Sequence, residues 1–240
     1  MESQDGAVTT PNLPELVALP GGDFVMGNDA GLTDERPAHR VTLSPFRAAV
    51  RPVSNEEYAL FLASTGYEAP PFLLDESFNP PQQPVVGVSW FDAVAYCQWL
   101  SAQTGARCRL PAEAEREFAA LGGLAGVDWP WGNVAPSQRA ELRDIVAGTQ
   151  PHMPTELCAN GYGLLCMADN VHEWCSDWYA PDYYASSPEE APRGPESGKR
   201  RASRGGSWRH QVKFNRVSSR SSLDPGFRYN DYGFRVYADL

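Results

Sequence analysis

Asn170-Val171-His172-Glu173-Trp174, Arg204-Gly205-Gly206-Ser207-Trp208 and Tyr232-Gly233-Phe234-Arg235-Val236 decide how this 240-residue chain folds. Each sets a bulky aromatic beside charged or glycine neighbours, and Gly205-Gly206 implies backbone too tight for a side chain. Related aromatic–glycine segments stand at Trp129-Pro130-Trp131-Gly132, Asn160-Gly161-Tyr162-Gly163 and Tyr229 to Phe234. Only short strands fit between them. Irregular backbone of this kind needs internal hydrogen bonds or ions to satisfy its buried polar groups.

The preceding half is more regular. Ser54 is placed to cap a helix with Glu57 as its reciprocal partner, Tyr58, Phe61 and Leu62 share one face, and Gly66 ends it. Ser89 and Asp92 repeat the device ahead of Ala93, Tyr96, Cys97 and Leu100, with Gly105 as the stop. Arg109-Leu110-Pro111 leads into a third helix whose Glu113, Glu115 and Glu117 suit the positive end of the helix dipole while Phe118 faces inward. Strands are expected at Phe24–Gly27 and around His39, Val41 and Leu43. Pro70, Pro71, Pro80, Pro81 and Pro84 make the stretch between the first two helices irregular. The reading is an α+β fold: a polar tail over residues 1–16 and one loop-rich domain over 17–240, without an internal repeat.

Composition narrows the function classes. An apolar share of 42% and seven tryptophans exclude a wholly disordered chain. The net charge of −10 repels a phosphate backbone, and the one basic run, Arg193 to Arg204, reads as a solvated loop, so no nucleic-acid partner is expected. No stretch reaches the roughly 18–20 apolar residues of a membrane helix. The first twenty residues lack an export-signal pattern. Five cysteines, with no Cys-x-x-Cys pair, suit a reducing cytoplasm better than a secreted disulfide scaffold or a structural zinc knot.

The motifs together resemble the formylglycine-generating, sulfatase-modifying factor family, whose fold is similar to C-type lectin domains. The resemblance runs from Gly21-Gly22-Asp23-Phe24-Val25-Met26-Gly27 through Pro84 to Ala93 and Arg109 to Glu115, and ends at Gly233-Phe234-Arg235. It implies a copper-dependent oxidase that converts a substrate cysteine to formylglycine, with two cysteines shortly after Gly-Gly-Ser holding the copper. Here those positions fall on His210 and Asn215, or on Val212 for the second in a shorter register. Monovalent copper favours thiolates, so copper is not expected. The resemblance also implies structural calcium: Asp169, Val171 and Glu173 match one site, where Cys166 replaces an oxygen ligand, and Glu141 and Asp144 match a second only loosely.

Two functional readings stay open. In the first, the old substrate region binds a small polar or anionic molecule or a peptide, or docks a protein partner, through Trp208, Arg209, Arg216, Arg220 and Arg228, because arginine and aromatic loops suit such ligands. In the second, the same pocket holds non-haem iron for an oxidase or oxygenase, with His172, His210 and a carboxylate such as Glu173 as ligands. Ser207 is the third candidate catalytic residue, as a pocket-lining group without a nucleophile elbow around it.

Overall fold

Ser54 and Ser89 start two helices for the same reason. In α1 (Asn55–Thr65) the Ser54 Oγ accepts the Glu57 N–H at 3.2 Å, while Glu57 Oε2 accepts the Ser54 N–H at 2.8 Å. In α2 (Trp90–Thr104) Ser89 and Asp92 reproduce both bonds at the same distances. A cap of this kind is worth about 1 kcal/mol. Both helices end on left-handed glycines, Gly66 and Gly105. α3 (Glu113–Leu121) lacks a hydroxyl cap, and Glu115 instead accepts the Ala112 N–H at 2.7 Å.

This computed structural model describes residues 13–139, 151–155 and 159–240. Its strands are β1 (Leu16–Leu19), β2 (Gly22–Met26), β3 (His39–Leu43), β4 (Phe46–Ala49), β5 (Cys108–Arg109), β6 (His172–Trp178), β7 (Arg201–Arg204), β8 (Ser221–Leu223), β9 (Tyr232–Gly233) and β10 (Tyr237–Asp239). One sheet runs β1-β4-β10-β5, a hairpin joins β2 to β3, and a third sheet runs β8-β7-β6-β9. The expected strand at Phe24 begins two residues earlier, at Gly22. Leu16, placed in the tail by sequence, already pairs with Ala49. The first twelve residues of that tail, and Glu141 and Asp144 of the loosely matched calcium site, lie outside the described residues.

Two apolar clusters hold these layers together. Tyr58 and Phe61 from α1, Tyr96 from α2, Trp174 from β6 and Phe234 form one, each 2% exposed or less. Leu19, Val41, Phe46, Phe118 and Tyr237 form the other under α3. Burying each large side chain contributes about 1.5–3 kcal/mol, so the clusters dominate the stability. One pairing departs from the antiparallel rule. β9 lies parallel to β6, with His172 opposite Tyr232 and Glu173 opposite Gly233. That register brings the residue before Tyr232, Asp231, to the N-terminal end of β6.

Candidate metal centre

Successive residues of a strand point to opposite faces. His172 and Glu173 open β6, so the two cannot serve one ion. Glu173 is fully buried between two guanidinium groups: Arg116 Nε donates to its Oε2 at 2.7 Å and Arg235 Nη2 to its Oε1 at 2.9 Å. Burial alone would raise its pKa, but Arg116 and Arg235 outweigh that and hold the carboxyl below its ordinary value. Arg235 also donates to the carbonyls of Ala49, Val50 and Leu165, so this pair fastens β4 and the 165 loop to β6.

His172 meets different company. Its Nε2 lies 2.9 Å from His210 Nδ1, and its backbone N–H donates to the Asp231 carbonyl at 2.8 Å. His172, His210 and Asp231 offer three ligand atoms within 4.8 Å of one another. Ligands held cis on an ion with bonds of about 2.1 Å stand about 3.0 Å apart, so the imidazole separation fits a shared metal. Burial, reinforced by His210, pushes the His172 pKa down to about 3. The ring is therefore neutral at physiological pH and has a lone pair to give.

Asp231 is 3% exposed. Ser207 Oγ donates to its Oδ2 at 3.0 Å, and Arg209 approaches Oδ1 only to 3.6 Å. Asp231 Oδ1 and His172 Nδ1 are buried without a hydrogen-bond partner among the described residues. Buried polar atoms rarely stay unpaired unless a ligand, ion or water completes them. The loop that carries His210 depends on Gly206, at φ 68°, where a Cβ would sit 2.2 Å from Asn215 Oδ1. A cavity of about 220 Å³ opens beside the cluster, lined by His172, Arg204, Gly206, His210, Phe214 and Ser221 among others.

Of the remaining expected site residues, Arg220 lines the cavity, and the arginines all have partners of their own. Arg216 is bound to Glu35, with 2.9 Å from Nη1 to Oε2. Arg220 forms a bidentate pair with Glu113 at 2.8 and 2.9 Å and lies over the Tyr184 ring. Arg228 joins Asp92 at 2.9 Å. These three guanidinium groups are committed to carboxylates and leave little charge for an anionic ligand. Arg209 and Trp208 sit at the edge of the cluster, where Arg209 Nη1 donates to Asn230 Oδ1 at 3.1 Å and Trp208 Nε1 approaches the Asn230 carbonyl. Of the calcium trio, Asp169 accepts from His152 at 2.9 Å and Glu173 is enclosed by guanidinium groups, so the two carboxylates are in separate use. The donor set after Gly-Gly-Ser does not fit copper held by a thiolate pair: of the described cysteines, Cys97, Cys108, Cys166 and Cys175 are buried elsewhere and none lines the cavity.

Residues 3–240 match the sulfatase-modifying factor enzyme 1-like domain. The chain belongs to the sulfatase-modifying factor family. A formylglycine-generating enzyme of Streptomyces coelicolor is 35% identical over 285 residues, covering 93% of this chain and 88% of that relative. A relative named serine/threonine-protein kinase pkn1 in Chlamydia pneumoniae is 36% identical over 96% of this chain, which spans only 39% of that longer protein. Among solved structures, PvdO from Pseudomonas aeruginosa superposes with a TM-score of 0.80 at 28% identity over 95% of both chains. The structure brings the sequence candidates His172, Ser207 and His210 together around Asp231. No motif singles out Asp231, whose place beside His172 depends on the parallel β6–β9 register.

Proposed function

We propose that this chain is a non-copper member of its family that holds a mononuclear iron-class metal on His172, His210 and Asp231 and acts as an oxidase or oxygenase on a small polar molecule or peptide side chain. The 2.9 Å approach of His172 Nε2 to His210 Nδ1, with a buried carboxylate in the same cluster, carries this reading. Two imidazoles and one carboxylate leave positions open for oxygen and substrate on non-haem iron, whereas soft monovalent copper would want thiolates. Asp231 Oδ1 accepts no hydrogen bond among the described residues, and the adjacent cavity gives a ligand room.

The chain's own residues have distinct parts in this scheme. His172 stays neutral because it is buried. Ser207 fixes the Asp231 carboxylate, and Phe214 and Ser221 shape the cavity wall. Reconstitution of chelator-stripped protein with ferrous iron under anaerobic conditions tests the assignment. One iron per chain is expected, lost in both His210→Ala and Asp231→Asn. Iron retained by both variants would defeat it.

A second reading is binding without turnover. The half-exposed Trp208 and the exposed Arg209, which adjoin His210 in sequence, support it, as does a relative in which a similar domain forms two fifths of a longer protein. Iron loading without oxygen uptake across a panel of polar peptides and small molecules would favour this alternative.

A further inference from the structure

The loop that leads into β6 carries a second cluster of ligand-type side chains, separate from His172. His152 Nε2 lies 2.9 Å from Asp169 Oδ2, and Cys166 completes a group whose donor atoms lie within 4.8 Å of one another. Cys166 is fully buried, Asp169 is 5% exposed and the His152 side chain 20%. Asn170 clamps the group. Its Oδ1 accepts the His152 N–H at 3.1 Å, and its Nδ2 donates to the His152 carbonyl at 2.9 Å and to Cys166 Sγ at 3.7 Å. An N–H directed at sulfur is the kind of support that orients a thiolate ligand and tunes it. Cys166 and Asn170 both hold positive φ, 56° and 72°, an uncommon conformation for residues with a side chain.

Three of the loop's carbonyl oxygens already accept hydrogen bonds. The Leu165 carbonyl accepts from Arg235 at 2.6 Å, the Met167 carbonyl from Arg116 at 3.0 Å and the Asn170 carbonyl from Trp208 N–H at 2.9 Å. Both Glu173 oxygens face guanidinium groups. A hard cation such as calcium takes six to eight oxygen ligands. The cluster itself offers one sulfur, one imidazole nitrogen and one carboxylate. That donor set suits a borderline-soft divalent ion of the zinc class.

We propose that His152, Cys166 and Asp169 bind one zinc-class divalent cation, with water in the fourth position, and so tie residues 151–155 to the loop that positions β6. Tetrahedral zinc with bonds of about 2.0–2.3 Å sets its donors about 3.3–3.6 Å apart, so small side-chain rotations close the group. Binding takes the proton from the Cys166 thiol to solvent and exchanges the His152–Asp169 hydrogen bond for two metal bonds. The inference is independent of the His172 centre.

Cobalt(II) titration of chelator-stripped full-length protein, followed by zinc competition, tests it. One equivalent of cobalt should produce a thiolate-to-cobalt charge-transfer band that zinc abolishes. The band should persist in His210→Ala and vanish in Cys166→Ser, where zinc affinity falls about 100-fold. Absence of the band in the parent protein, or its survival in Cys166→Ser, overturns the proposal. Should that variant fail to fold, His152→Ala at the part-exposed ligand must keep the band while weakening cobalt binding about tenfold. Unchanged affinity there overturns it equally.

Discussion

Two neighbouring stretches of one strand treat buried polar groups in opposite ways. Around Glu173 every charge is answered: Arg116 and Arg235 enclose its carboxylate, and across β7 Arg204 and Arg220 both meet Glu113, with Arg204 also bonded to Glu117. One residue earlier, His172 Nε2 meets only the His210 ring, and neither its Nδ1 nor Asp231 Oδ1 has a hydrogen-bond partner among the described residues. A scaffold gains from complete satisfaction, because each unpaired buried group costs roughly 1–3 kcal/mol. A binding centre has to leave donors available. Arg204 Nε and Tyr237 Oη in the scaffold also lack a hydrogen bond among the described residues, so the centre is marked by the clustering of His172, His210 and Asp231 rather than by an unpaired atom alone.

The largest effect should come from breaking the satisfied side. Glu173→Ala leaves Arg116 and Arg235 buried and uncompensated, which should cost about 3–5 kcal/mol. Equilibrium urea denaturation measures this. A loss below about 1 kcal/mol would mean that the two guanidinium groups find other acceptors, and the contrast between the two stretches would dissolve.

On the other side, His210→Ala removes an exposed imidazole from a loop. Metal affinity should fall more than about 100-fold while the unfolding free energy changes by less than about 1 kcal/mol. Isothermal titration with ferrous iron and a parallel melt separate the two quantities. A large stability loss with unchanged metal affinity would place His210 on the structural side of the comparison.

The sequence exposes these two classes unevenly. Ser54, Glu57, Ser89 and Asp92 announce their helices because capping is local chemistry, completed within four residues. His172, Ser207 and His210 come instead from the family resemblance, which aligns the segments around Asn170 and Gly205. Arg216, Arg220 and Arg228 look like an anion site in sequence, yet their partners Glu35, Glu113 and Asp92 lie over a hundred residues away, and no spacing pattern reports such pairs. Glu173 looks like the carboxylate ligand because it adjoins His172, whereas strand alternation turns it into the core. Asp231 could have been suspected as the one acid in the aromatic run Tyr229 to Phe234. Its placement still depends on a parallel pairing that is fixed only by the folded sheet.

Asp177 offers a sharper version of the contrast inside the charged core. It is 3% exposed and accepts the Glu113 N–H at 3.0 Å and the Ser176 hydroxyl at 2.9 Å, with no guanidinium in ion-pair reach among the described residues. Burial, with the Glu113 charge beside it, raises its pKa from 3.8 to about 7. Between those values the folded state keeps a proton that the unfolded chain has lost. Its contribution is therefore complete below about pH 3.8 and is lost as pH rises toward 7, at about 1.4 kcal/mol per pH unit. Asp177→Asn, which keeps an acceptor and cannot ionise, should flatten that part of the stability profile and gain most above pH 7. Denaturation midpoints from pH 4 to 8 give the comparison, and parallel profiles for the two proteins would refute it.

Ser207→Ala probes the smallest effect and the link between the two classes, since Ser207 is a buried group that satisfies a ligand. Its hydroxyl donates to Asp231 Oδ2 at 3.0 Å and so helps to fix the orientation of the carboxylate. Without it, the nearest positive group to Asp231 is Arg209 at 3.6 Å, on a half-exposed side chain that can draw the carboxylate away from His172. Removing such an orienting partner typically costs 10–100-fold in metal affinity, and the lower end, about tenfold, is expected because the Asp231 carbonyl stays anchored by the His172 N–H. The loss in folding free energy should stay near 1 kcal/mol, the worth of one hydrogen bond. Ser207→Thr, which preserves the hydroxyl, should restore affinity if its methyl is accommodated. Full affinity in Ser207→Ala would show that Asp231 needs no help to face the metal, and would move Ser207 from the centre to the scaffold.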